Sequence, residues 1–248
     1  LFALFVGLFV YYAGDKQESS RVLLKLIIAF FLWSILNLMT WVNVDIRLIS
    51  FVWALLPVLY LAVYVLGVQL FFLITRISLN AKWWLRFRAF GGGILLVILL
   101  IQISHLYINE FDLLKCEAIE NSWFILITNI VAILFLLATV FSSLYFYFTE
   151  QDSLKKHKIK SVGIGLVFFL TSFLFSGIIA SYYGNFEYEQ YGLFGMTFFL
   201  GVIGYLIVSF KEFDVKMFGA QALVLSLVFL IGSQLFFAKK SPASSCAS

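Results

Sequence analysis

Long apolar runs alternate with short polar breaks along the whole chain. Residues 1–13, 22–42, 48–75, 89–108, 123–148, 162–183, 192–210 and 218–238 read as continuous hydrophobic stretches. A hydrocarbon core about 30 Å thick needs roughly 20 apolar residues of helix, and this unit recurs with polar segments between its copies. The first run has only 13 residues, or about 20 Å at 1.5 Å per residue. That shortness, with a chain starting at Leu1, leads us to expect sequence upstream. The two-residue alternation of a membrane β-barrel is absent from these runs. The expected fold is therefore all-α, a polytopic transmembrane helical bundle of about eight spans. Its expected organisation is a seven-span unit over residues 1–216 with a truncated first span, an additional transmembrane helix over 217–238, and a polar tail over 239–248.

Composition agrees with a lipid rather than an aqueous surround: 63% of the 248 residues are hydrophobic and 12% are charged. The net charge of +4 does not call for nucleic acid, because the basic residues flank the spans, where topology accounts for them. Counting Lys25 at the membrane edge of the second span, thirteen of the seventeen Lys and Arg residues fall in or beside the breaks after odd-numbered spans, and the other four are Arg47, Lys115, Lys239 and Lys240. Cytoplasmic loops retain positive charge, so this asymmetry predicts an N-terminus outside and the segments 110–120 and 185–191 on the external face. Lys239 and Lys240 would then lie outside after an eighth span, a conflict that a ninth span would resolve. The tail KKSPASSCAS is too small and polar to fold alone.

The supply of reactive groups inside the spans is poor. They contain no Asp or Glu, one Lys near an end (Lys25), and one His, His105. HExxH, GxSxG, paired-Asp and P-loop motifs are missing, and neither Cys116 nor Cys246 stands in a CxxC or His-rich setting. No enzymatic activity, cofactor or metal is expected of this chain, and a proton-coupled pump would need mid-membrane carboxylates it lacks. The uncharged polar residues Asn37, Gln102, His105 and Asn129 instead gather toward the outer ends of their spans, with Trp33 one turn inward from Asn37 on the same helix face. Asn37 lies about 22 Å from the inner end of span two. One reading is an outer pocket in which Trp33, Asn37, Gln102, His105 and Asn129 hold a small or amphiphilic ligand among aromatic walls. The other is that these residues join helices by polar contacts, which are frequent in membrane bundles.

Spans five and six carry small residues at four-residue spacing, Ala138 and Ser142, Thr139 and Ser143, then Ser172, Ser176 and Ala180, which point to close helix packing. The run Gly91, Gly92, Gly93 is either a hinge or a crossing point. Lys155, Lys156, Lys158 and Lys160 surround His157 in a membrane-edge loop, where they fit the topology and would also meet anionic headgroups. Pro57 is expected to kink the third span.

The opening GLFVYYAGDKQESSRVLLKLIIAFFLWSILNLM, Pro57 in a long third span, the segment KKHKIKSVGIGL, and GMTFFLGVIGYLIVSFKEFDVK over span seven together resemble the N-terminal seven-transmembrane sensor region of bacterial membrane histidine kinases. The likeness runs from Leu1 to about Lys216, and the further span resembles members with extra helices before their kinase domain. The resemblance implies a sensory input domain in the bacterial inner membrane, working with membrane lipids and with a cytoplasmic kinase domain in cis or in trans, and a homodimer. It assigns signal output to the exit from span seven at Phe213 and Asp214. Residues after Ala238 hold no phospho-accepting helix or ATP-binding domain, so kinase activity is expected in a further part or a partner. The alternative is a small transporter or permease subunit for a neutral or lipid-like solute.

Overall fold

The computed structural model describes residues 2–13, 17–42, 46–75, 81–103, 108–112, 117–183 and 186–210. Seven helices follow the hydrophobic pattern: α1 (Phe2–Ala13), α2 (Glu18–Val42), α3 (Ile46–Thr75), α4 (Ala81–Ile103), α5 (Ser122–Thr149), α6 (Ser153–Tyr183) and α7 (Gly192–Phe210). Six are long and apolar enough to cross a membrane, and α1 is a shorter apolar helix of 12 residues. The chain is thus a polytopic helical membrane protein. The expected eighth span, the tail, Phe213 and Asp214 lie outside the described residues, as do His105, Cys116 and Cys246.

Helix starts differ most from the hydropathy pattern, because polar residues extend helices beyond their apolar cores. α6 begins at Ser153, so Lys155, Lys156, His157, Lys158 and Lys160 form its first turns rather than a loop. Asp152 starts this helix, its carboxylate accepting from the Leu154 N–H at 2.9 Å. α2 begins at Glu18 and α4 at Ala81, so Trp83 and Trp84 are also helical. Asn121 caps α5, its side chain accepting from the Trp123 N–H at 3.1 Å. Between α4 and α5 the expected external segment contains a two-stranded antiparallel ribbon, β1 (Ile108–Asp112) with β2 (Glu117–Glu120), pairing Phe111 with Ala118.

α3 is the hub of the bundle. It packs against α2, α4, α5 and α6, while α6 also packs against α5 and α7, and α1 lies against α2 and α7. Pro57 is accommodated inside α3. The core is aromatic: Tyr64, Phe71, Phe169, Phe173 and Phe199 are its largest fully buried side chains. α4 and α5 expose apolar faces, including Phe90, Leu96 and Val97 on one and Ile130, Leu134, Phe141 and Phe148 on the other, as helices bordering lipid do.

Close approaches explain the small residues. A Cβ on Gly163 of α6 would collide with Ser143 Oγ of α5, and one on Gly195 of α7 would stand 2.8 Å from Ser172 Cβ of α6. Gly91 is a crossing point, packed on Val65 of α3, whereas Gly92 and Gly93 face open space. One end of the bundle collects the basic residues. There Arg88 of α4 and Glu18 of α2 meet at 3.3 Å, half-exposed, a pair that contributes little stability but ties the starts of two helices together.

Candidate functional site

A cavity opens at the end of the bundle opposite the basic residues, between α2, α3, α5 and α6. It encloses about 90 Å³, room for several water molecules. From the exposed Ser181 at its mouth to Phe173 at its floor, α6 descends eight residues, or about 12 Å.

The walls follow from helix periodicity. Trp33 and Asn37 stand one turn apart on α2, and Trp53, Pro57 and Tyr60 follow each other at three- and four-residue steps on α3. Phe124, Thr128 and Asn129 come from α5, and Phe173, Ser176 and Gly177 from α6. Phe173 organises the floor. Its ring lies 4.6 Å from Trp33 edge-on, 5.1 Å from Tyr60, and 5.6 Å from Phe30, separations at which aromatic pairs attract through their quadrupoles.

Tyr64, just below, is fully buried; its hydroxyl donates to the Leu170 carbonyl at 3.0 Å and lies 3.4 Å from the Tyr60 hydroxyl. A buried hydroxyl without such a partner would be costly. The polar pair therefore links the cavity floor on α3 to the backbone of α6.

The mouth is closed on one side by a short 3-10 turn, Phe186–Tyr191, which packs on α6 and α7. Ring contacts hold it: Tyr183 with Tyr188 tilted at 5.8 Å, and Tyr188 with Tyr191 at 6.3 Å and Tyr191 with Phe194 at 6.5 Å stacked. Glu189 projects from this turn into the cavity lining, where the Asn37 amide nitrogen donates to its carboxylate at 2.5 Å. A charge-assisted bond of this kind is stronger than a neutral one, and it joins the α6–α7 connection to α2.

The structure thus brings Trp33, Asn37 and Asn129 to one cavity. It does not bring Gln102 there. That side chain is 1% exposed, outside the lining, and neither amide atom has a hydrogen-bond partner among the described residues. His105 lies outside the described residues. Asn37 stands nineteen residues into α2, because the helix starts earlier than its apolar core, which places it about 28 Å from the basic end. Among the described residues that line the cavity, Glu189 is the one with a formal charge. A search of spans alone passes over it, since it sits in the polar break between two of them.

No family model, curated protein or solved structure matches this chain. The cavity itself must then carry the functional reading. Among the described residues no group of His, Cys, Asp and Glu is arranged to hold a metal ion. The hydroxyls of Thr128 and Ser176 donate to carbonyls of their own helix, to Phe124 at 2.8 Å and Phe173 at 3.0 Å. A hydroxyl has one hydrogen and two lone pairs, so each keeps acceptor capacity after this bond. Aromatic walls, one carboxylate and two hydroxyls thus line the same space.

Proposed function

We propose that this chain is a membrane-embedded sensory input module whose ligand enters the cavity between α2, α3, α5 and α6 and shifts α6 against α7. The observation that carries the reading is the cavity itself, which is open at one end of the bundle and floored by Phe173, a residue of the helix that packs on α7. By the excess of Lys and Arg at the other end, the mouth faces outside and the end of α7 faces the cytoplasm. The resemblance to histidine-kinase sensor regions supplies the destination: a cytoplasmic kinase, in cis or in trans, in the bacterial inner membrane.

Gly177 provides the test, because it lines the cavity and a Cβ there meets nothing within 4 Å. Gly177→Leu therefore places side-chain bulk where a ligand would sit. Spin labels at Leu154→Cys and Ser209→Cys, both exposed near the basic ends of α6 and α7, read the distance between those ends once Cys116 and Cys246 are replaced by Ser. The expected outcome is a shifted distance distribution in Gly177→Leu; unchanged distributions there and in Asn37→Ala would end the sensor reading.

Transport of a small solute is a second reading, favoured by the Tyr60 and Tyr64 hydroxyls, which lead below the floor. It predicts uptake by proteoliposomes, which the sensor reading does not.

A further inference from the structure

We propose that a second concavity, on the lipid-facing side of α6, seats one acyl chain of a bilayer phospholipid and thereby holds in place the 3-10 turn that closes the cavity mouth. The proposal rests on the membrane-crossing helices alone and not on the sensor reading. The groove encloses about 270 Å³ between Ser172, Phe175, Ser176 and Ile179 of α6 and Tyr188 and Tyr191 of the turn. The four α6 residues follow at steps of three and one, then three, so they share one helix face. Phe175 is 56% exposed and Ile179 39%, and Phe168 and Ile164 continue the same exposed stripe along the helix. The groove is therefore continuous with the surface that the bilayer covers.

Depth and chemistry select the occupant. Ile179 stands nineteen residues beyond Lys160, the last of the α6 lysines, or about 28 Å along the helix. The hydrocarbon core is about 30 Å thick, so Ile179 lies at its far edge and Ser172 about 10 Å inside it. Tyr188 and Tyr191 then stand at the membrane boundary, where tyrosine rings are favoured. None of the six lining residues carries a formal charge, and the Ser176 hydroxyl donates to the Phe173 carbonyl at 3.0 Å. A charged solute finds no partner there. A partner helix would need a long open furrow to bring its axis within about 8–10 Å. This groove spans only about two turns of α6, and one turn deeper the Phe168 and Phe198 rings bridge α6 to α7 at 4.4 Å. A flexible hydrocarbon chain descending from headgroup level fits such a notch, and many weak dispersion contacts hold it.

The turn has two sides. Tyr188 and Tyr191 line the groove, while Glu189 between them lines the cavity and accepts the bond from Asn37 of α2. A 3-10 turn of six residues has poor hydrogen-bond geometry of its own, so its seat depends on what its rings touch. An empty groove forfeits the dispersion contacts on the Tyr188 and Tyr191 side. A seated chain supplies them and keeps Glu189 beside Asn37; its loss lets the turn shift away from α2.

The test uses the full chain with Cys116 and Cys246 replaced by Ser and spin labels at Leu38→Cys, beside Asn37, and Gln190→Cys, beside Glu189, both exposed positions. In CHAPS micelles, whose detergent carries no linear chain, the label distances should be broad. Titrating dioleoylphosphatidylcholine should narrow them saturably while native mass spectrometry records one retained lipid per chain. Phe175→Ala with Ile179→Ala removes two groove walls and should weaken that lipid at least about tenfold. Leu134→Ala with Phe141→Ala, also exposed but on α5, should leave it unchanged, and phosphatidylglycerol should bind as tightly as phosphatidylcholine. Absence of saturable lipid, equal weakening by the α5 pair, a preference of about tenfold or more for one headgroup, or a dimer of this chain that the groove variants dissociate overturns the acyl-chain site. Distances unchanged by a lipid that does bind overturn its hold on the turn. The sensor reading is judged separately by the Gly177→Leu distances between α6 and α7, so the two can fail independently.

Discussion

Gly195→Ala tests the packing through which the cavity would act. The added Cβ would stand 2.8 Å from Ser172 Cβ, 3.1 Å from the Phe169 carbonyl oxygen and 3.3 Å from Phe169 Cα. Carbon atoms rest at about 3.5 Å or more, so α7 must retreat from α6 by about 0.7 Å, and the backbone contacts cannot be relieved by turning a side chain. Overpacking of this kind costs about 1–3 kcal/mol, offset by up to about 1 kcal/mol because Ala favours helix over Gly. Gly201 on the same helix is the control, since a Cβ there meets nothing within 4 Å. Gly201→Ala should be neutral or stabilising. The two variants should therefore differ by about 2 kcal/mol, near thirtyfold in the unfolding equilibrium, measurable by titrating micelle-bound protein with dodecyl sulfate and following helicity. Adding Ser172→Gly to Gly195→Ala should restore part of the loss, because the carbonyl contact persists. Equal stability of Gly195→Ala and Gly201→Ala would refute the close packing of α6 on α7.

Gln102→Leu should raise stability by about 1 kcal/mol in the same titration, since it removes a buried amide whose atoms have no partner among the described residues; a loss of stability would show that the amide is satisfied. Tyr64→Phe removes the bond to the Leu170 carbonyl and should cost about 0.6 kcal/mol, the average for interhelical hydrogen bonds in membranes. A loss well above about 1.7 kcal/mol would exceed any such single bond and mark the Tyr60–Tyr64 pair as a larger network.

The spans were legible in the sequence because the hydrocarbon core imposes a length that hydropathy reports directly. Trp33, Asn37 and Asn129 were legible as neighbours because fixed rise per residue places polar side chains at comparable depth even on different helices. Depth does not give azimuth, however. Gln102 shares the end of the bundle but lies outside the cavity lining, and no single-helix pattern reports which neighbour that helix will pack against. Trp53 and Tyr60 were hidden for another reason: in an apolar span an aromatic residue that lines a cavity looks the same as one that fills the core. Glu189 was hidden by its short connection, where an acidic residue between two tyrosines reads as a solvated turn. The start of α6 escaped notice because lysines form good helix while ending the hydrophobic run.

Phe173 connects the ligand space to the α6–α7 contact. Its ring floors the cavity beside Trp33 and Tyr60, and its Cδ2 lies 3.2 Å from where a Cβ on Gly192 would stand, with Ser176 Oγ at 2.7 Å from the same point. The first residue of α7 thus packs against the helix face that bears the cavity floor, with no side chain of its own to absorb a displacement. Close-packed interiors respond to such a displacement by shifting between packings rather than by compressing. An occupant that contacts Phe173 equally well in both packings shifts nothing. A tenfold preference for one biases the pair by about 1.4 kcal/mol, comparable to the net penalty of Gly195→Ala. The ligand and that substitution therefore act on the same contact with similar force, and the labels on α6 and α7 place both on one scale.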